Sequence, residues 1–250
     1  MKKVLFIFLI SWGAAHLFAS PDSLFQAGNA LYQEGNYEEA FRTYSNIIQQ
    51  EGHSSDLYYN MGNAAFRSNN IGYAILYYEK ALKLDPGHAD ARNNLEFVSG
   101  YLVDTFDEVP ELFIRTWARA WVNTLPERTW SILSIFLFVF MLSGLLVYIF
   151  SKRLAFKKAG FFSLLVGVSL FALTFASALS RHRKVVHPDA GIIVSPSVIV
   201  RSSPSESGTE LFLLHEGTRV KVNEEVAGWH NIRVIDGREG WIVSNDFESI

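Results

Sequence analysis

The 250-residue chain is 49% hydrophobic and 19% charged, with a formal net charge of -3. A balance this close to neutral excludes the basic footprint of a nucleic-acid-binding surface, and the lack of any cysteine excludes disulfides, thiolate catalysis, Cys-ligated zinc and a lipoprotein anchor. The apolar residues gather at the N-terminus and between Trp130 and Ser180, with ordinary polar blocks around them, which is the distribution of a membrane protein carrying soluble modules.

Residues 1–19 have the form of a secretory signal peptide: Lys2 and Lys3, an apolar run from Val4 to Ile10, and small residues near Ala19, where cleavage is expected. An uncleaved anchor is the alternative. Both send the residues after Ser20 across the membrane.

The stretch GNALYQEGNYEEA, Gly28 to Ala40, returns 34 residues later as GNAAFRSNNIGYA, Gly62 to Ala74. A period of 34 is that of tetratricopeptide arrays, in which each unit is an antiparallel helix pair. Gly28/Gly62 and Ala40/Ala74 are then close-approach points, Tyr44/Tyr78 fill space, and Pro86 ends the second pair. Gly52 stands where the first unit would carry that proline. We expect an all-α module over 20–102, with repeats 21–54 and 55–88. Stacked repeats leave an open end, so a capping helix with a polar outer face is expected over 89–102, with Leu95, Val98 and Leu102 facing inward. Gln26, Asn60 and Asn94 recur at the same 34-residue spacing, and Asn29 and Asn63 form a second column. Side-chain amides carry both donor and acceptor, so these five are the candidate groove residues for an extended peptide; the alternative is a solvated helix face. Some grooves of this kind clamp a terminal carboxylate with cations, but Phe25 and Asp90 stand where those cations would be.

A connector follows over 103–129. Pro110 is placed to start a helix in which Phe113, Trp117 and Trp121 recur every four residues while Arg115 and Arg119 fall on another face. This pattern suits the lipid headgroup zone, with packing on the helical cap as the alternative. Thr124 and Glu127 have the spacing of a capping box around Pro126. Charge-free apolar runs over 130–150 and 159–180 are each long enough to cross a bilayer. The loop 151–158 between them carries Lys152, Arg153, Lys157 and Lys158 and no acid, marking it as cytoplasmic. Ser163 and Gly167, or Ala172 and Ala176, would seat the spans. Both soluble modules then lie on the periplasmic side of a bacterial inner membrane.

Over 185–250 the pattern turns to five or six short strands, among them VIVRS, TRVKV, WHNIRV and EGWIV, with Asp236-Gly237 as a hairpin turn. With no helix to cover a sheet, an all-β small barrel is expected. Val200-Arg201, Gly217, the GW at Trp229 and the closing Gly240-Trp241 resemble bacterial SH3-like domains. That resemblance implies binding of cell-wall peptides or partner proteins. Arg201, Trp229 and Trp241 are the candidate groove residues there, core packing of the tryptophans being the alternative.

No HExxH, GxSxG, phosphate-binding loop or metal-spaced His/acid pair occurs, and no cofactor is implied. Glu224 and Glu225 are expected in a surface turn, and His182 to face lipid or solvent. The order of parts, from signal peptide through repeats and two spans to an SH3-like barrel, resembles the E-type proteins of the Bacteroides aerotolerance (Bat) operon. The resemblance implies a non-enzymatic scaffold in oxygen-stress tolerance or envelope integrity, with von Willebrand factor A-type Bat membrane proteins, encoded beside a MoxR-type ATPase, as partners. Peptidoglycan binding or wall sensing through the barrel is the alternative function, and membrane lipid a further contact.

Overall fold

The computed structural model describes residues 21–106, 112–186 and 189–250. The signal-peptide reading of 1–19 and the role given to Pro110 lie outside the described residues.

Helices α1 (Pro21–Gln33), α2 (Tyr37–Glu51), α3 (Ser55–Arg67), α4 (Ile71–Leu84) and α5 (Ala89–Ser99) follow the repeat frame. A Cβ at Gly28 would stand 2.4 Å from the Tyr44 ring and one at Gly62 2.6 Å from the Tyr78 ring, so only glycine admits each tyrosine. Ala40 and Ala74 are fully buried beside them. Gly35 and Asn69, equivalent in the frame, both take left-handed conformations (φ 85° and 63°) that turn the chain between the helices of each pair. Ser54 caps α3 by accepting from the Leu57 amide, and His88 caps α5 by accepting from that of Ala91.

On α5, Val98 is buried and Leu95 packs against the same core, as does Leu102 just beyond. Its outer face departs from expectation. Phe97 and Tyr101 are 60% and 56% exposed, edge to face with Phe66, because among the described residues no further helix stacks on α5.

Three further helices follow: α6 (Phe113–Val122), α7 (Glu127–Phe150) and α8 (Leu154–Val186). The last two pack as a hairpin through Gly144, Gly160 and Gly167. A Cβ at Gly160 would meet the Tyr148 amide at 2.6 Å, and one at Gly167 the Met141 Cα at 3.0 Å. Ser163 and Gly167 therefore seat the hairpin, whereas Ala172 and Ala176 are exposed on α8. Both helices are long and apolar enough to cross a membrane, and only 11% and 17% of their most apolar windows is buried. A soluble core hairpin would bury most of that surface. At about 1.5 Å per residue α8 reaches roughly 50 Å, beyond the roughly 30 Å of hydrocarbon, so Lys157 and Lys158 fall inside its first turns. The capping box does not form: Pro126 occupies the cap position, and the Thr124 hydroxyl donates to the Trp121 carbonyl instead. Helix α6 leans on the hairpin rather than on α5, with Trp121 Nε1 donating to Ser177 Oγ at 3.2 Å and its ring beside Trp130.

The C-terminal module has seven strands rather than five or six: β1 (Ala190–Ile193), β2 (Ser197–Arg201), β3 (Glu210–His215), β4 (Arg219–Val226), β5 (Trp229–Arg233), β6 (Glu239–Val243) and β7 (Phe247–Ser249). The described pairs are antiparallel, in the order β3-β2-β6-β5-β4-β1-β7. Leu214 on one edge strand and Phe247 on the other share one core with Ile193, Val200, Ile232 and Ile242, so the sheet curls on itself. Gly240 permits the β2/β6 crossing, since a Cβ there would meet Val200 at 2.4 Å. Asp236-Gly237 makes the expected β5/β6 turn, with Gly237 at φ 93°. Glu224 and Glu225 are instead paired within β4, opposite Asn231 and His230. The turn lies beyond them at Ala227-Gly228, both at positive φ, the geometry of a two-residue hairpin.

The two soluble modules are docked. Ile192 and Ile250 are buried in the helical core beside Ile75, each stabilising the contact by about 1.5–3 kcal/mol. Gly72 lies so close to β1 that a Cβ there would meet the Ile193 carbonyl at 2.9 Å, and its amide donates to Glu216 Oε2. Asp104, just past α5, accepts from the His215 amide, the His215 ring and the Thr218 hydroxyl at 2.6–2.8 Å.

Candidate binding groove

The first helices of the stack, α1, α3 and α5, line a surface with two hollows of about 130 and 190 Å³. Two copies of one polar unit build them. In the first, Asn29 Oδ1 accepts from the Tyr44 hydroxyl at 2.7 Å and from Asn60 Nδ2 at 3.4 Å. In the second, Asn63 Oδ1 accepts from the Tyr78 hydroxyl at 2.7 Å and from Asn94 Nδ2 at 2.8 Å. Burial pushes the Tyr44 pKa up to about 12 and raises that of Tyr78 as well. Both hydroxyls therefore keep their protons at neutral pH and fix the orientation of Asn29 and Asn63.

Four of the five candidate amides thus come together, but across the two columns rather than along them. Gln26 is exposed and lines neither hollow. Phe25 packs near Tyr44 on the core side. The hollows differ in their apolar walls. Tyr32 borders both; Gln33 borders the first alone, and Phe66, Phe97 and Val98 border the second, together with Arg67, whose guanidinium lies 4.6 Å from the Tyr37 ring centroid.

On the barrel, Arg201 stands opposite Trp241, which stands opposite Asn231. Strand alternation puts Trp229 on that same outer face. Neither tryptophan joins the core, contrary to the packing alternative; both are half-buried beside exposed Ile199, Leu213 and Val243. Arg201 is turned inward to the β2/β3 loop, donating to the Gly208 carbonyl at 2.9 Å and to Glu210. It supports the loop and does not present a free cation.

Sequence reasoning missed the docking residues Gly72, Asp104, His215 and Glu216, which no local spacing marks. It also missed Arg181, buried on α8, which donates to the Lys83 carbonyl at 2.6 Å and to Asn123 Oδ1 at 3.2 Å. His182 is exposed, as expected, and also bonds Glu127 at 2.8 Å.

Residues 55–88 match the family model of the tetratricopeptide repeat, and residues 196–248 that of the bacterial SH3 domain. No curated protein matches the chain. A solved structure described as the crystal structure of MamA protein aligns over 67% of this chain and 76% of its own, at 19% identity and a TM-score of 0.32. Domains of the two matched types bind proteins and, for the SH3 type, peptidoglycan. The chain therefore joins a tetratricopeptide-type helical module, two long apolar helices and a bacterial SH3-type sheet.

Proposed function

We propose that this protein is a non-enzymatic, membrane-anchored scaffold whose helical groove holds a segment of a partner protein at the outer side of a bacterial inner membrane. One observation carries the reading. The barrel docks on α4 and the turn after α5, through Gly72, Ile75 and Asp104, and among the described residues it leaves the hollows on the first helices open. A groove built twice from the same Tyr–Asn unit, and covered by none of the described residues, is a binding surface rather than a packing seam. The N-terminal export pattern and the acid-free basic stretch 151–158, at the turn and the start of α8, support a periplasmic orientation. The order of modules favours envelope partners of the von Willebrand factor A type and a role in oxygen-stress tolerance or envelope integrity.

The test uses Asn60→Ala/Asn94→Ala, because these two bridge to Asn29 and Asn63 without leaving a buried tyrosine hydroxyl unpaired. The double variant should fold and insert as the parent does, yet lose the envelope proteins that co-purify with it. Undiminished recovery contradicts the groove reading.

A second reading rests on the apolar outer face of the barrel, where Trp229 and Trp241 offer surfaces for wall saccharide or peptide. Full-length protein in detergent should then sediment with insoluble peptidoglycan, and Trp241→Ala should not.

A further inference from the structure

We infer that the junction of α8 with α4 and α6 is a headgroup site for an anionic phospholipid, whose phosphate lies at Lys184 above the buried guanidinium of Arg181. This rests on the membrane anchoring proposed above and is independent of the groove.

Arg181 and Lys184 are three positions apart on α8 and so share a face. Ser177, one turn before Arg181, holds α6 through the Trp121 indole. The charge-free run 159–180 covers about 30 Å of helix, the thickness of the hydrocarbon core. Both cations therefore come at headgroup level, just past its far end. Arg181 is only 5% exposed. One terminal nitrogen donates to the Lys83 carbonyl and the other to Asn123 Oδ1, but its Nε is buried with no acceptor among the described residues. Native structures leave few such donors unmade. A buried charge also calls for a counter-charge, yet no carboxylate of the described residues lies within ion-pair distance of Arg181 or Lys184. The acids whose fields reach them, Glu127 and Asp189, bond His182 and Lys221 instead.

What the fold supplies in their place is two helix ends. Arg181 meets the last turn of α4, and Lys184 lies in the last turn of α8. Each end is worth about half a negative charge. Two full cations against two such ends leave about one positive charge, which one phosphodiester neutralises. Arg119 on α6 adds its own field at Lys184. Lys83 stands apart, donating to the Ile250 and Val185 carbonyls at 2.6 and 3.4 Å. Burial, and then the charges of Lys80 and Arg181, lower its pKa, as expected where positive charge is crowded.

The surroundings favour a lipid over a free phosphate. On α6, Trp117 and Trp121 are 81% and 46% exposed one turn apart, and tryptophan settles at headgroup level. Leu173 and Leu179 on α8 are also exposed. Acyl chains would cover such surface, whereas inorganic phosphate would use none of it. A phosphatidylcholine headgroup carries its own cation, so phosphatidylglycerol is the better match.

The test places the full chain in detergent micelles with equal amounts of phosphatidylglycerol and phosphatidylcholine, and native mass spectrometry reads which lipid stays bound. Phosphatidylglycerol should be retained in preference. The preference should fall about fivefold in Lys184→Gln, the effect of one basic residue at an anionic headgroup, and return in Lys184→Arg. Arg183→Gln removes the same charge from another face of α8 and should leave the preference intact. Excess inorganic phosphate should not displace the lipid. Equal retention of the two lipids, an equal loss in Arg183→Gln, or displacement by phosphate overturns the inference. In a parallel arm, the chain in phosphatidylcholine vesicles should resist alkaline carbonate; release there removes the anchoring reading as well.

Discussion

Tyr78 combines two roles that only a buried phenol can fill: its ring takes the space Gly62 leaves, and its hydroxyl orients Asn63. Gly62→Val would push a branched side chain into that ring, and overpacking of this kind costs about 1–3 kcal/mol. A lowered midpoint in thermal unfolding of the full chain, followed by helical circular dichroism, checks it. The glycines, alanines and tyrosines of the frame were legible in the sequence because their spacing is the packing itself. The amide pairing was not. Asn60 bonds Asn29 and Asn94 bonds Asn63, residues 31 apart, because each helix reaches across to its neighbour about one turn off the 34-residue register. A column drawn along the register therefore includes Gln26, which has no such neighbour among the described residues.

Docking between elements depends on two glycines and the carboxylates of Asp104 and Glu216. Gly72 admits β1 to the face of α4, and Gly217, at φ 84°, admits Leu102 and Ile75, which a Cβ would meet at 2.4 and 2.8 Å. Gly72→Leu should undock the barrel while each module keeps its own core. With no native cysteine, spin labels at Glu96→Cys and Asn245→Cys report the distance between modules, and the narrow distribution of the parent should broaden in the variant. Acid should do the same. Burial alone would raise the Asp104 pKa, but hydrogen bonds from Thr218 and His215, together with the nearby His215 ring, hold it below the usual carboxylate value. A depressed carboxylate stabilises the docked state above the free value of about 3.9 and loses that contribution as the pH falls through the lower, docked value. The label distances should therefore be constant at neutral pH and spread only below about pH 4. Surface Arg219–Glu79, 2.9 Å apart, adds little. None of these contacts was legible, because each joins residues more than a hundred positions apart, in modules whose local patterns are complete without the other. The strand count fell short for a related reason. β1 and β7 are four and three residues long, too short to alternate visibly, and exist as strands through pairing with each other and, for β1, with β4.

At the scale of the molecule, the apolar runs and the basic loop were plain in composition, whereas the joining of the parts was not. Arg181 gathers three of them: it sits on α8, donates to α4 through the Lys83 carbonyl, and reaches Asn123 between α6 and α7. Lys83 in turn donates to the Ile250 carbonyl at 2.6 Å. The hairpin, the helical stack and the barrel thus share a junction, and the groove is held in a set direction relative to the two apolar helices. On the proposed function, a scaffold built this way would present its partner at a fixed orientation rather than on a tether. The most direct measurement is site-specific photo-crosslinking in intact cells. A photoreactive side chain at Gln33, on the groove rim, should capture a defined envelope partner, and Asn60→Ala/Asn94→Ala in the same chain should abolish the capture. Probes at Asn46 on α2 and at Trp241 on the barrel should not form that adduct. Capture of the same partner from Trp241, unaffected by loss of the two asparagines, would contradict the account.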